Sequence, residues 1–268
     1  MVRINSHNLR ISQIGKSGSV IILLTGFATT SNFWNKDFIV ALACEHQVYL
    51  VDYQGVLTPD SKNFTSLTIA DMANDINCLV KALNLIKPML LGWSMGGAVT
   101  LQASFMEPAL YSQLVLLAGV VPTIEPGFSS SIRPHQQFFS EDDILNYVFS
   151  NNIFNYSPNE LTKYRSKFLD QRLAMLFPRR NILDIHARAI RAWRLDPASS
   201  LLFKSSKLRA TFYLPLNDTM LDQQLALKII KDYPNANIIE LADCGHAVSW
   251  HEPFRLAAEI YELNSGLI

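Results

Sequence analysis

Four uninterrupted apolar runs constrain the fold of this 268-residue chain more than any other feature of its sequence. They cover residues 20–24, 48–51, 88–92 and 114–121. A run of this length with no alternating polar residues is typical of a strand that is buried on both faces of a parallel sheet. These runs therefore predict the central strands of an α/β fold.

Helical patterns separate the runs. Residues 68–85 carry apolar side chains at helical spacing, and residues 98–106 predict a second helix that stops near Pro108. Alternation of strand, helix and strand predicts a mainly parallel sheet with right-handed crossovers. Residues 8–14 alternate between apolar and polar side chains, which favours a half-buried strand at their position.

The pattern changes after residue 121. Residues 142–149, 161–176 and 183–193 predict helices with no strand between them. The sheet pattern then returns with a strand, a helix, a strand and a last helix, at residues 210–216, 221–233, 237–241 and 253–263. We predict a core of residues 1–121 and 201–268, and a helical lid inserted at residues 122–200.

Composition limits the class of protein. Hydrophobic residues make up 49% and charged residues 17%, so a large buried core is expected. A formal net charge of zero gives no overall attraction to nucleic acid or to a membrane surface. Residues 1–18 are polar, and the first apolar run is too short for a membrane span. Three cysteines, an odd number, argue against a secreted disulfide framework. We expect a cytoplasmic protein.

The sequence Gly92-Trp93-Ser94-Met95-Gly96 has the G-x-S-x-G pattern of a nucleophilic serine. The pattern alone also occurs in ordinary turns, but here a buried strand precedes it and a helix follows. Small neighbours are needed because this strand-to-helix turn crowds the backbone. We predict that Ser94 is the nucleophile and that the Met95 N–H stabilises a developing oxyanion.

A serine nucleophile needs a base, which in this kind of fold comes last in the chain. His246 follows the last predicted strand, in a loop that would overhang the sheet edge, and is the predicted base. His251 is more typical of a helix entry. The other four histidines are predicted to be surface or core residues; they are His7, His46, His135 and His186.

The base in turn needs an orienting acid. Asp218 follows the strand at residues 210–216 and lies 28 residues before His246, which leaves room for one helix and one strand. Asp222 fits better as a first-turn carboxylate of the next helix. Asp243 is too near His246 in the loop, and Glu125 lies too far beyond its strand. Asp218 is therefore the predicted acid.

A second oxyanion donor is expected from the loop that follows residues 20–24. Gly26 permits an unusual turn there, so that the Phe27 N–H would point at the site. We expect Gly26 and Trp93 to line the substrate pocket. The Phe27 ring would line the acyl pocket or, as the alternative, pack as an ordinary core aromatic.

Together these segments resemble the α/β-hydrolase superfamily over nearly the whole chain. The matching pieces are Thr25-Gly26-Phe27 with Phe33-Trp34, Asp52-Tyr53-Gln54-Gly55, Gly92 to Gly97, Asn217-Asp218, and Gly245-His246 with Glu252-Pro253. The resemblance implies an α/β sheet flanked by helices, a Ser-His-Asp triad of Ser94, His246 and Asp218, and hydrolysis of carboxylic esters without a cofactor or a metal.

Within the superfamily, residues 91–97 and 69–73 are similar to the pimeloyl-ACP methyl ester carboxylesterases of biotin synthesis. That resemblance implies an acyl ester substrate, either a small molecule or one linked to a carrier protein. Two loops depart from the family pattern. Thr25 stands where the family usually has His, and Gln54 and Leu57 replace an Arg and a Gly.

The predicted lid region is basic. Residues 120–209 hold thirteen Lys or Arg against eight Asp or Glu. Arg188, Arg191 and Arg194 recur every three residues on one side of a helix and could dock an acyl carrier protein. The alternative is a solvated helix face paired with Asp184 and Asp196.

Other functions remain open at the level of sequence. The same triad could hydrolyse thioesters, lactones or C–C bonds, or the fold could be a catalytically silent binding module. Dehalogenase chemistry is disfavoured because its nucleophile would be an Asp at the position of Ser94. A phosphate or metal enzyme has no support, because neither a P-loop nor a cluster with metal-ligand spacing is present.

Overall fold

The computed structural model describes residues 1–4, 7–27, 29–56, 65–123, 141–154, 156–171 and 180–265. The strands of this part of the chain are Val2–Ile4 (β1), His7–Ile14 (β2), Ser19–Leu24 (β3), His46–Asp52 (β4), Met89–Trp93 (β5), Leu114–Leu117 (β6), Ala210–Pro215 (β7) and Ala236–Leu241 (β8). They form one sheet in the order β1-β2-β4-β3-β5-β6-β7-β8.

Helices connect and cover these strands. Their bounds are Lys36–Ala43 (α1), Ile69–Ala82 (α2), Met95–Met106 (α3), Glu141–Val148 (α4), Asn151–Phe154 (α5), Pro158–Gln171 (α6), Arg180–Arg194 (α7), Pro197–Ser205 (α8), Gln223–Ile230 (α9), Val248–His251 (α10) and Pro253–Ser265 (α11). Two single-turn 3₁₀ helices cover Ser31–Phe33 and Pro108–Leu110.

The sheet is mainly parallel, as the sequence predicts. β4, β3, β5, β6, β7 and β8 pair in parallel, whereas β2 pairs antiparallel with both β1 and β4. Leu24 pairs with Gly92, and Trp93 pairs with Leu117, so the carboxyl ends of β3, β5 and β6 meet at one edge. Residues that follow these strands are thereby brought together at that edge.

The central strands are buried because neither face is polar. Every residue of β5, β6 and β7 is buried, and so is β3 from Ile21 onward. Such burial on both faces needs helices on both sides of the sheet, which the alternating helices supply. The α2 helix begins at a capping box, in which Thr68 and Asp71 bond each other's backbone N–H groups.

The predicted strand at residues 114–121 is wrong in its second half. The strand ends at Leu117 because Ala118 has a positive φ of 46° and turns the chain. This turn brings Gly119 against Gly97, where a Cβ on Gly97 would lie 2.7 Å from the Gly119 Cα. Close packing of the β6 turn on helix α3 therefore overrides the strand propensity of Val120 and Val121.

Helices α4 to α8 lie between β6 and β7, where the sequence predicts the insertion. The predicted helix at residues 161–176 corresponds to α6, and its residues beyond Gln171 lie outside the described part of the chain. The sequence does not predict helices α1, α5, α8 and α10 or the short strand β1. The division into a core and a lid stays a prediction.

Aromatic side chains from the predicted insertion, between β6 and β7, pack on other parts of the chain. Phe149 and Phe168 contact Phe33 and Trp250 at ring-centroid distances of 5.9 to 6.3 Å. Trp250 also donates its indole N–H to the Phe33 carbonyl at 2.8 Å. The insertion is thus packed on the same residues that support the edge of the sheet.

No helix of the described residues is long and apolar enough to cross a membrane.

Helix α3 starts so close to β3 that its second residue has no room for a side chain. A Cβ on Gly96 would lie 2.2 Å from the Leu24 carbonyl oxygen and 2.9 Å from that of Thr25. We expect Gly96→Ala to lower the free energy of unfolding by about 3 kcal/mol or more, although alanine is the better helix former. Urea unfolding measures this loss.

Gly119→Ala is the matched control, because its Cβ would come closest to Leu116 side-chain atoms, at 3.0 Å, and would meet backbone only at the Gly97 Cα, at an ordinary contact distance of 3.5 Å. We expect this variant to lose less than half as much stability. Equal losses in the two variants would contradict the proposed backbone contact.

Candidate active site

Ser94 lies in the sharp turn between β5 and α3. Its φ of 55° and ψ of −118° are strained for a residue with a side chain, as expected of a nucleophile elbow. Hydrogen bonds fix this conformation. The Ser94 N–H donates to Leu117 O at 3.1 Å, and the Ser94 carbonyl accepts from the Gly97 and Val120 N–H groups, both at 2.9 Å. The side chain is partly exposed at the carboxyl edge of the sheet.

Asp218 and His246 are brought together after β7 and β8. His246 Nδ1 lies 2.7 Å from Asp218 Oδ2, and both side chains are almost fully buried. A carboxylate can only accept hydrogen bonds, so the proton of this bond belongs to Nδ1 and Nε2 remains the nitrogen that can act as a base. The loops are also joined through backbone, since the Asn217 N–H donates to Cys244 O.

The Asp218 carboxylate is fixed by more than His246. Oδ1 accepts the N–H groups of Met220 and Leu221, and Oδ2 accepts the Gln223 side-chain amide at 2.6 Å. These donors offset the cost of burying a charge and hold the carboxylate in one orientation. The sequence analysis did not include Gln223. Its position five residues after Asp218, at the start of α9, is the sequence feature from which this hydrogen bond could be predicted.

Trp93 connects the loop that carries His246, here called the histidine loop, to the turn that carries Ser94. Its indole N–H donates to the His246 carbonyl at 2.7 Å, and its ring centroid lies 5.5 Å from that of His246. Because Trp93 directly precedes Ser94, the bond holds the two loops side by side. No hydrogen bond between Ser94 and His246 is formed among the described residues; such bonds often tighten only when substrate binds. Trp93 is 4% exposed, and its place in a substrate pocket stays a prediction.

The loop after β3 also reaches the serine. A Cβ on Gly26 would lie 3.1 Å from Ser94 Cβ and 2.9 Å from the Trp93 ring, so only glycine fits at this position. Phe27 is buried next to it, and Met95 is the first residue of α3. N–H groups in the first turn of a helix have no partner within that helix, so the Met95 N–H is available to an oxyanion.

The alternative residues have structural places. Asp222 is the N-cap of α9 and accepts the Leu225 N–H, as predicted for a helix-start carboxylate. His251 is the last residue of α10 and lies just before α11, which begins at Pro253. Its Nε2 accepts the Gly245 N–H at 3.1 Å, and its Nδ1 lies 2.8 Å from the Tyr156 hydroxyl. His46 and His186 are buried. Leu57, Glu125 and His135 lie outside the described residues.

The prediction that three arginines share one exposed side of helix α7 is wrong for one of them. Arg188 and Arg191 are exposed, but Arg194 is only 7% exposed, and burial lowers its pKa to about 10. The reason is geometric, because two steps of three residues rotate a side chain by roughly 120° around a helix. Asp196, one of the two predicted pairing partners, caps α8 by accepting the Ala198 N–H.

No group of three or more His, Cys, Asp or Glu side chains among the described residues could hold a metal ion.

Comparison with known families gives the class of the protein. Residues 19–253 match the model of the alpha/beta hydrolase fold family, which is most of the chain. The chain belongs to the α/β-hydrolase family.

Individual relatives are distant. A protein of Oryza sativa subsp. japonica with the name "Probable esterase" is 30% identical over 140 residues, and the match spans 51% of this chain and 49% of that protein. The "Putative carbamate hydrolase RutD" of Serratia proteamaculans is 22% identical and covers 85% of this chain and 84% of its own. An alpha/beta hydrolase fold protein from Chitinophaga pinensis superimposes with a TM-score of 0.80 at 16% identity, over 98% of this chain and 95% of its own.

His251 links the acid stability of the fold to the histidine loop. Burial lowers the pKa of His251 to about 4, against the ordinary 6.5, while Glu252 and Glu160 partly oppose this shift. Between pH 6.5 and 4 the unfolded chain therefore binds a proton that the folded chain does not. We expect stability to fall as the pH decreases through this window, by about 2 kcal/mol after allowance for the partial exposure of His251.

Urea unfolding at several pH values, for wild type and His251→Gln, isolates this contribution. The wild type should lose more stability than the variant between pH 6.5 and 4, because the glutamine side chain does not titrate. Parallel curves for the two proteins would show that His251 is not the responsible group.

Proposed function

We propose that this chain is a serine hydrolase that cleaves carboxylic esters through an acyl-enzyme. The observation that carries the proposal is the buried 2.7 Å contact between His246 and Asp218, held beside the strained Ser94 turn by Trp93. An ester-cleaving role is also suggested by the esterase name of the relative from Oryza sativa.

The mechanism follows from these roles. His246, oriented by Asp218, accepts the proton of Ser94 as its oxygen attacks the ester carbonyl. The N–H groups of Met95 and Phe27 stabilise the oxyanion, an effect worth about 3 kcal/mol for each donor. The alcohol leaves with the proton from His246. Water, activated by the same histidine, then releases the acid.

Other carbonyl substrates use the same steps. Thioesters, lactones and C–C bonds remain alternatives from the sequence, and the carbamate hydrolase name of the Serratia relative adds carbamates. A panel of esters, thioesters, lactones and carbamates with graded acyl chains ranks these substrates by kcat/KM.

Replacing the nucleophile tests the proposal itself. We expect Ser94→Ala to lower p-nitrophenyl ester hydrolysis by at least 10³-fold with an unchanged fold, because the acyl-enzyme cannot form. Ser112→Ala, at an exposed serine, is the control and should retain wild-type activity. Labelling by a fluorophosphonate probe should disappear in the first variant only. Retained turnover by Ser94→Ala would refute Ser94 as the nucleophile, whereas an inert wild type would favour the silent binding module.

The finer proposal is that the ester is presented on an acyl carrier protein. It rests on the similarity of residues 91–97 and 69–73 to carrier-ester carboxylesterases, and on the exposure of Arg188 and Arg191 on α7. Acidic carrier surfaces are attracted to such a pair, and salt screens the attraction.

We expect Arg188→Glu with Arg191→Glu to reduce kcat/KM for a carrier-linked ester by about 10-fold, without altering p-nitrophenyl ester hydrolysis. Lys16→Glu with Lys231→Glu changes the net charge equally at two other exposed positions and is the control. Unchanged turnover of the carrier ester by the arginine variant would end the docking proposal.

A further inference from the structure

The loop between β3 and the Ser31–Phe33 turn is held by hydrogen bonds to its carbonyl groups. The Tyr53 hydroxyl donates to the Thr25 carbonyl at 3.0 Å, and the Thr29 hydroxyl donates to the Gly26 carbonyl at 3.0 Å. Thr29 is 2% exposed, so water does not compete for this bond. The far end of the loop is fixed by Asp52, which accepts both the N–H and the hydroxyl of Ser31.

The Thr29 bond acts on the peptide unit that carries the proposed oxyanion donor. The Gly26 carbonyl and the Phe27 N–H belong to one planar peptide, in which the C=O and N–H bonds point in opposite directions. A donor that fixes the carbonyl on one side therefore fixes the direction of the N–H on the other. It also polarises the peptide and strengthens the N–H as a donor.

Gly26 makes such a support necessary. Trp93 and Ser94 leave no room for a Cβ at this position, so the residue must be glycine, whose backbone is less restricted than that of any other residue. A peptide next to glycine rotates more freely than others, and a rotated Phe27 N–H would no longer meet the oxyanion. Preorganised donors are effective because they need no reorientation during the reaction.

We propose that Thr29 is a positioning residue, which orients the Phe27 N–H toward the oxyanion through the Gly26–Phe27 peptide. This inference rests on the proposed ester hydrolysis and extends it to a residue that does not contact the substrate. Thr29 acts on the transition state and not on the ground state, because the charge on the carbonyl oxygen develops only as Ser94 attacks.

The test removes the hydroxyl while keeping the shape. We expect Thr29→Val to lower kcat for p-nitrophenyl acetate by 10- to 100-fold with KM changed less than 2-fold. Thr29→Ser keeps the donor and should stay within about 3-fold of wild type. Ser104→Ala is the matched control, since the buried Ser104 hydroxyl also donates to the carbonyl three residues earlier, Leu101 O, inside α3.

A second measurement separates positioning from a general loss of structure. An alkyl trifluoromethyl ketone forms a tetrahedral oxyanion with the serine, so its inhibition constant should rise in Thr29→Val by the same factor by which kcat/KM falls. Thermal unfolding of each variant is recorded in parallel. Should Thr29→Val fail to fold, Thr29→Ala replaces it with the same expectation.

Either of two activity results would overturn the inference: activity of Thr29→Val within 2-fold of wild type, or an equal loss in Thr29→Ser. A ketone inhibition constant that does not change while kcat falls would do the same. These outcomes are distinct from failure of the proposed function, which shows in Ser94→Ala. If Ser94→Ala is inactive and Thr29→Val is not, only the role of Thr29 is lost.

Discussion

Close packing of backbone at the carboxyl edge of the sheet is the constraint on which the rest of this structure depends. Gly92 and Gly96 place the start of α3 directly on the ends of β3 and β5, at distances that no side chain would allow. This contact forces Ser94 into its strained turn and presents its side chain at the edge. The loops that carry Gly26, Asp218 and His246 begin at the same edge because β3, β7 and β8 run parallel in one sheet.

Hydrogen bonds and a ring contact then hold those loops in place beside Ser94. Trp93 is central, since its backbone belongs to β5, its ring stacks on Phe33, and its N–H bonds the His246 carbonyl. The Asp218 carboxylate is likewise shared between the His246 ring, two backbone N–H groups and Gln223. Four separate loops are thereby held together by a few hydrogen bonds that are buried or partly buried, where hydrogen bonds are strong and costly to break.

Much of this arrangement could be predicted from the sequence. The apolar runs predict the central strands, and the glycines around Ser94 predict the turn, because both patterns follow directly from local backbone requirements. The pairing of Asp218 with His246 follows from their positions after successive strands. The end of β6 at Leu117 could not be predicted, since the turn at Ala118 is imposed by the contact of Gly119 with Gly97.

Two further features could not be predicted from the sequence: which side of helix α7 is buried, and which side chains hold the loop after β3 through hydrogen bonds to its carbonyl groups. Arg194 shares the spacing of Arg188 and Arg191 but turns into the protein, which depends on what packs against α7. Thr29 and Tyr53 donate hydrogen bonds to backbone carbonyl groups of the loop after β3. Every residue has a backbone carbonyl, so the sequence does not show which one accepts such a bond. Such contributions depend on tertiary distances that no local pattern contains.

The backbone of the insertion also bonds the loop that carries the histidine. The Ala247 N–H donates to Ile153 O, and a Cβ on Gly245 would lie 2.7 Å from Phe154 O. The inserted segment is thus a structural neighbour of His246 and not a separate attachment. Evolution of a new substrate range by exchange of the inserted helices would therefore reshape the histidine loop at the same time. Grafting such an insertion between relatives requires residues 245–247 to move with helix α5.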